Sequence, residues 1–316
     1  MTTLSDIFPE SEQPHWVSRA AFPVVVAMFF LNQVFLATAV YHGYIWLAVL
    51  LALTASHLMH GVLIAFHEAS HGLLRKNRRI NEIDGIIIGV LSLMSFNLYR
   101  VAHQLHHAHL ATEEDAELWP FVVPGIPRWQ RILAAVLELS CGLLFTPFLF
   151  LRVFLRKNSA IRNPKMRRRI WRELALMTVS WTAILSAVAW FGVWKYFIWL
   201  YVVPAYIAGN LQSCRKYIEH VGLTGNTPIS ATRSIVANDV LGRFVAFTLL
   251  HEPFHGVHHR HAGLPHAELP LHTSELNPVN PGDVPIFSSY GHAFLDLIRK
   301  LSDPRAGSQW QKVSSR

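Results

Sequence analysis

Nine histidines in this chain are spaced as metal ligands are spaced. His67 and His71 stand four apart; His103, His106 and His107 form an HxxHH triplet; His255, His258 and His259 repeat that triplet; and His220 lies between the last two groups, directly after Glu219. With 19 His in 316 residues, one HxxHH triplet is expected by chance only roughly 0.07 times per chain, so two are not an accident of composition. On a helix, positions i, i+3 and i+4 share a face, and each group then aims its imidazoles at a common point. Imidazole is the commonest protein ligand for iron, zinc and copper. Eight or nine converging imidazoles exceed the coordination of one ion and imply two.

The first group, His67-Glu68-Ala69-Ser70-His71, also satisfies HExxH, in which two helical histidines hold zinc and the Glu is the general base of a metalloprotease. That reading leaves both HxxHH triplets and His220 without a task, and Glu68 then becomes a carboxylate that orients an imidazole. Other candidates for that supporting role are Asp115, in the acidic run after the second group, Glu219 beside His220, and Glu252 before the third. His251 precedes His255 by four and is a further ligand or, preferably, a hydrogen-bonding neighbour. His109 falls on a different side of its helix and is left out. His60 shares a face with His67 and His71 but sits about 10 Å deeper by helix rise, where it is a candidate for the lining of a substrate channel; a hydrogen-bonded interhelical histidine is the plainer alternative. His57 lies in the same segment, and His15, His42, His261, His266, His272 and His292 have no ligand spacing.

The elements that must position these groups are membrane helices. The chain is 52% apolar with mean hydropathy +0.28. No Asp, Glu, Lys or Arg occurs from Ala20 to Phe66, and Lys195 is the only one from Leu174 to Ser213. A hydrocarbon core of about 30 Å needs roughly 20 apolar residues per helix, so each stretch fits two spans. The expected spans are 21–41, 45–66, 174–193 and 197–213, in two hairpins within a single domain, 1–316. Trp46, Trp190, Trp194 and Trp199 fall near the turns, where amphipathic rings favour the interface. Ile86–Phe96 is too short to cross and reads as half-buried or re-entrant. Ile132–Phe150 contains Glu138 and Pro147; a single crossing there would separate His220 and the third group from the first two, so it must lie in the interface or dip in and return at about Pro147.

Arg75, Lys76, Arg78 and Arg79 follow the second span, and Lys165, Arg167, Arg168, Arg169 and Arg172 precede the third. Positive loops prefer the cytoplasmic face, which places every histidine group there. The net charge of +8 is accounted for by these flanks and by lipid headgroups rather than by nucleic acid; a docking surface for an acidic electron carrier is the sharper alternative. Asp6, Glu10 and Glu12 and a long following apolar run do not read as a cleaved signal. Cys141 and Cys214 lack CxxC spacing and read as small buried hydrophobes.

The boxes HEASH, HQLHH and HGVHH, their order, the two hydrophobic hairpins and the Pro-containing tail (Leu264-Pro265 and Leu269-Pro270) resemble the membrane fatty acid desaturase and hydroxylase superfamily over roughly residues 20–302. The resemblance implies an all-α, four-span integral membrane fold with a cytosolic helical cap, built from 67–173 and 214–302, that holds two Fe ions. It implies His67, His71, His103, His106, His107, His220, His255, His258 and His259 as ligands, with His220 matching the family's extra histidine before the last box. In some acyl-CoA members an Asn one turn earlier holds a metal-bound water; here that position is Lys216, and the detail is not carried over. The implied activity is O2-dependent desaturation of a membrane lipid or acyl chain. Hydroxylation or ketolation of an alkyl chain or carotenoid is the nearest alternative. Iron suits the chemistry because zinc has no redox change. Without a flavin fingerprint or cysteine cluster in the chain, electrons must come from an external ferredoxin or cytochrome.

Overall fold

The computed structural model describes residues 16–314. The acidic N-terminal residues and His15 lie outside them. The described residues are helical, with no strand and one isolated bridge between Ile235 and Phe287. A single turn, α1 (Trp16–Arg19), leads into α2 (Ala21–His42), which pairs with α3 (Ile45–His71). Gly43 turns the chain between them at φ 73, a left-handed conformation that costs glycine little. Next come α4 (Arg78–Leu91), α5 (Phe96–Ala108), α6 (Arg128–Leu155) and α7 (Pro164–Phe191). The following helical run comprises α8 (Trp194–Phe197), a π turn (Ile198–Val202) and α9 (Val203–His220). The rest is shorter: α10 (Val240–Thr248), α11 (His255–Arg260), a 3-10 segment (Leu269–Leu276), α12 (Tyr290–Ile298) and α13 (Gln309–Ser314).

Four helices, α2, α3, α6 and α7, are long and apolar enough to cross a membrane. Along their apolar stretches the exposed residues are large hydrophobic ones, such as Phe30, Leu50, Leu144 and Val179, the reverse of a water-soluble surface. Helices run beyond the expected spans: α3 continues to His71, α7 begins at Pro164, and α9 ends at His220. The charge-free stretches mark where lipid contact ends, whereas the helices stop at their own caps. Asn77 and Asn163 accept backbone N–H groups at the starts of α4 and α7. Gly72, at φ 80, ends α3 immediately after His71. The two hairpin turns meet at the end opposite the histidines, where Lys195 Nζ donates to Val40 O at 2.8 Å.

Residues 86–96 straddle α4 and α5, which meet at a 101° bend. The outer face of α4 is a stripe of exposed Ile80, Ile83, Ile87 and Leu91, the pattern of a helix lying along an apolar surface. Helix α6 departs from the sequence expectation. Its break is at Cys141 (φ −136, ψ 36), not at Pro147. There Gly142 N loses regular helix geometry and donates to Asn210 Oδ1 of α9 at 2.8 Å, an inserted side chain of the kind that kinks helices. The contact is close: a Cβ on Gly142 would lie 2.3 Å from Ser213 Oγ, and one on Gly209 2.7 Å from Leu143 N.

Both ends of α6 are held by one assembly. Arg128 and Arg131 donate to the carbonyls of Ser302 (2.8 Å) and Pro304 (3.0 Å), while the Arg152 guanidinium covers the Trp119 ring at 3.5 Å. The Trp119 loop and the tail after Ser302 are themselves joined, by Ala306 N and Trp310 Nε1 donating to Phe121 O. The two ends of α6 are thus tied to the same pair of segments.

Candidate metal centre

Each histidine group is set by a different device. Phe66, one residue before His67, packs on Tyr99 at 4.8 Å between ring centroids, and Tyr99 stacks on His103 at 5.2 Å and 7°. Glu173 of α7 fixes the start of α5, accepting from Ser95 Oγ (2.6 Å) and Asn97 N (2.9 Å). Fully buried Arg233 holds the last turn of α9, donating to the carbonyls of Ile218 (2.7 Å) and Val221 (2.9 Å), as cations do at helix C-termini. The next residue, Ser234, accepts Gly256 N at 2.8 Å and fixes α11.

The nine imidazoles meet in two adjoining clusters. His67, His71, His103, His107 and His258 offer nitrogens all within 4.8 Å of one another, as do His106, His220 and His259. His255 joins the second cluster, its Nε2 lying 2.9 Å from His220 Nε2 and 3.0 Å from His259 Nε2. The clusters touch where His107 stacks on His259 at 4.3 Å.

The spacing fits metal ions. In the first cluster the Nε2 atoms of His71, His103, His107 and His258 follow one another at 3.1 Å. Two nitrogens bonded at right angles to one ion at about 2.1 Å are separated by about 3.0 Å, whereas a tetrahedral angle gives about 3.4 Å. The observed separations are of the size expected for nitrogens that share one ion. His67 Nε2 is buried with no protein partner, which an ion among these nitrogens would supply.

For several of the ligands the opposite nitrogen faces an acceptor, leaving Nε2 to the cluster centre. His103 Nδ1 lies 2.8 Å from Glu117 and His106 Nδ1 2.8 Å from Asp115. Asp115 is itself fixed by the backbone N–H groups of Ala111, Glu117 and Leu118. His220 Nδ1 meets Ala231 O at 3.2 Å. Glu252 serves both clusters: Oε2 lies 3.2 Å from His67 Nδ1, Oε1 3.0 Å from His255 Nδ1, and Arg215 donates to Oε1 at 2.7 Å. Burial alone would raise this carboxyl, but His67 and Arg215 hold it well below the ordinary range. Two non-glycine residues in left-handed conformation, Leu250 (φ 47) and His251 (φ 56), immediately precede it; such strain is found where a site dictates the backbone. Burial, reinforced by neighbouring imidazoles, pushes His258 and His259 well below the usual histidine range, so both are neutral and able to ligate.

Glu68 is fully buried beside His67 and Glu252, with neither oxygen hydrogen-bonded. Glu219 pairs with Arg215 and lies 3.5 Å from His255 Nε2. His251 instead meets His266, Nδ1 to Nδ1 at 3.2 Å. His60 is buried but is not among the residues lining the neighbouring cavity. His109 pairs outward with Glu114. Sequence reasoning stopped at Asp115 and missed Glu117, two residues on, although an acid at that spacing in a turn is the available signal. It also missed Arg215, which stands one turn before Glu219.

Beside the first cluster lies a narrow cavity of about 80 Å³ walled by Phe66, Met94 and Phe150 and floored by Glu117, Glu138 and Lys216. It shares Leu63, Ser92 and Leu143 with an apolar groove of about 360 Å³ between α2, α3, α4 and the helical run to α9.

The fatty acid desaturase family matches this chain over residues 44–290, from the start of α3 past the last cluster. A "Fatty acid desaturase" of Bacillus subtilis (strain 168) is 25% identical over 183 residues, covering 55% of this chain and 50% of that protein. The chain thus spans about half the length of that relative. With the family matched across all nine histidines, the chain belongs to the fatty acid desaturase family.

Proposed function

We propose that this protein is an O2-dependent di-iron oxidoreductase that desaturates lipid acyl chains, with five imidazoles holding one iron and four the other. The single observation that carries this reading is the pair of touching clusters, backed by Glu117, Asp115 and Glu252 and lying beside a cavity that joins an apolar groove. Iron bound there would supply the redox change and O2 activation that removal of hydrogen from an unactivated methylene requires. The chain's own residues hold the ligands in register, keep His258 and His259 neutral, and exclude water by burial. Overall, CH2–CH2, O2, two electrons and two protons give CH=CH and two waters; the hydroxylating alternative gives C–OH and one water. The electrons come from an external ferredoxin- or cytochrome-like donor, since Cys141 and Cys214 are separate free thiols and form no cluster site.

The spans are proposed as α2, the first part of α3, most of α7, and the run through α8 to α9, with α6 lying along the membrane. The basic segments after α3 and before α7 support a cytoplasmic centre. A zinc protease built on HEASH leaves the second cluster, His106, His220, His255 and His259, without a task. Mass spectrometry of lipids from cells with and without the gene tests the reaction: desaturation removes two hydrogens from a lipid, hydroxylation adds an oxygen, and an unchanged lipidome counts against both.

A further inference from the structure

The floor of the cavity is too polar for a site that receives only hydrocarbon. Glu138 of α6 is 1% exposed, and Lys216 of α9, 7% exposed, forms an ion pair with it inside the cavity lining. Glu138 is saturated: besides Lys216 it accepts Tyr217 Oη at 3.0 Å and Thr146 Oγ1 at 3.1 Å. Lys216 is not. Its Nζ carries three donors, and Glu138 is the one acceptor it meets among the described residues. Burying two charges costs several kcal/mol per ion, and apolar residues of like volume commonly serve a core as well or better. Here the pair stands against the space a substrate would fill.

The position of Lys216 adds a distance. It lies one helical turn before His220, about 6 Å of rise, and Glu117 on the same floor touches His103. The apolar groove meets the cavity at Leu63, Ser92 and Leu143, and neither Glu138 nor Lys216 lines it. A chain lying along groove and cavity would therefore place one end at Lys216, close to both clusters.

We infer that the substrate is an alkyl chain ending in a neutral oxygen function, a hydroxyl or the carbonyl of an ester or amide, which accepts a hydrogen bond from Lys216 Nζ. The pair is already charge-balanced, so a free carboxylate would bring a third buried charge without a partner. With that oxygen at Lys216, the carbon that is oxidised lies only a few bonds from it. This rests on the oxidase reading for its second half, but the binding claim stands on the cavity alone.

The test is equilibrium binding of radiolabelled hexadecan-1-ol and hexadecane to the iron-loaded full chain in detergent. A hydrogen bond from a charged donor is worth about tenfold or more in affinity, so the alcohol is expected to bind at least about tenfold tighter. Lys216→Met with Glu138→Leu removes both charges and should erase that preference while hexadecane binding holds. An equal affinity for the two probes in the unaltered protein, or a preference surviving in the double variant, overturns the proposal. If the pair merely ties α6 to α9, the double variant lowers the thermal midpoint and weakens both probes equally, leaving their ratio intact, which also overturns it. Iron content, measured on the same samples, reports separately on the oxidase reading. Product analysis with hexadecan-1-ol should place oxidation near the alcohol end; oxidation at the methyl end contradicts the proposed placement.

Discussion

Glu252→Gln should weaken metal binding even though it changes one atom in a residue that ligates neither ion. Glu252 receives His67 Nδ1 on one oxygen, at 3.2 Å, and His255 Nδ1 on the other, at 3.0 Å. A glutamine keeps one acceptor and converts the other to an NH2 donor. Whichever histidine faces that NH2 must move its proton to Nε2, the atom that would otherwise bind metal. Loss of a partner behind a ligating histidine typically costs 10- to 100-fold in metal affinity, or about 1.4–2.8 kcal/mol. One of the two irons should therefore leave at about 10- to 100-fold lower chelator concentration, whereas the other is retained nearly as before. The assay is iron per chain after dialysis against graded chelator. Asp115→Asn, whose one histidine partner is His106, is the matched single-cluster comparison. A Glu252→Gln curve superimposable on that of the unaltered protein would refute the bridging role assigned to Glu252.

Further outcomes follow from other contacts. His258→Ala removes one of five imidazoles in the first cluster and should abolish lipid oxidation; a fully active variant would refute the ligand assignment. Gly209→Val should destabilise the α6–α9 crossing, where a Cβ would lie 2.7 Å from Leu143 N, by about 1–3 kcal/mol, read as a lower thermal midpoint in detergent. Leu143→Trp, at the junction shared by groove and cavity, should reduce oxidation of long chains at unchanged iron content, measured by product formation against metal analysis.

The histidine groups were legible because ligand spacing is local: i, i+3 and i+4 on a helix decide the face before any tertiary contact forms. His220 was legible only by its place between boxes, since a lone histidine carries no period. The residues that hold the ligands were harder to see. Glu252 bridges histidines far apart in the chain, and Arg215, Glu219 and Glu252 become one network only after α9 packs beside the loop before α11. The kink in α6 was assigned to its proline, the visible local signal, yet it sits at Cys141 because Asn210 of another helix takes the Gly142 N–H. Charge composition located the lipid-facing segments but not the helix ends, because His67, His71 and His220 ride on helices that continue past the apolar stretch. Glu138 reads as a charge inside an apolar segment and Lys216 as a departure from an Asn of some family members; their pairing across α6 and α9 is visible only in the fold.

The central claim is that nine imidazoles on four helices hold two irons. Metal quantification of the purified full-length protein by inductively coupled plasma mass spectrometry tests it most directly. The account expects about two irons per chain and no stoichiometric zinc; a single zinc per chain with no iron would contradict it.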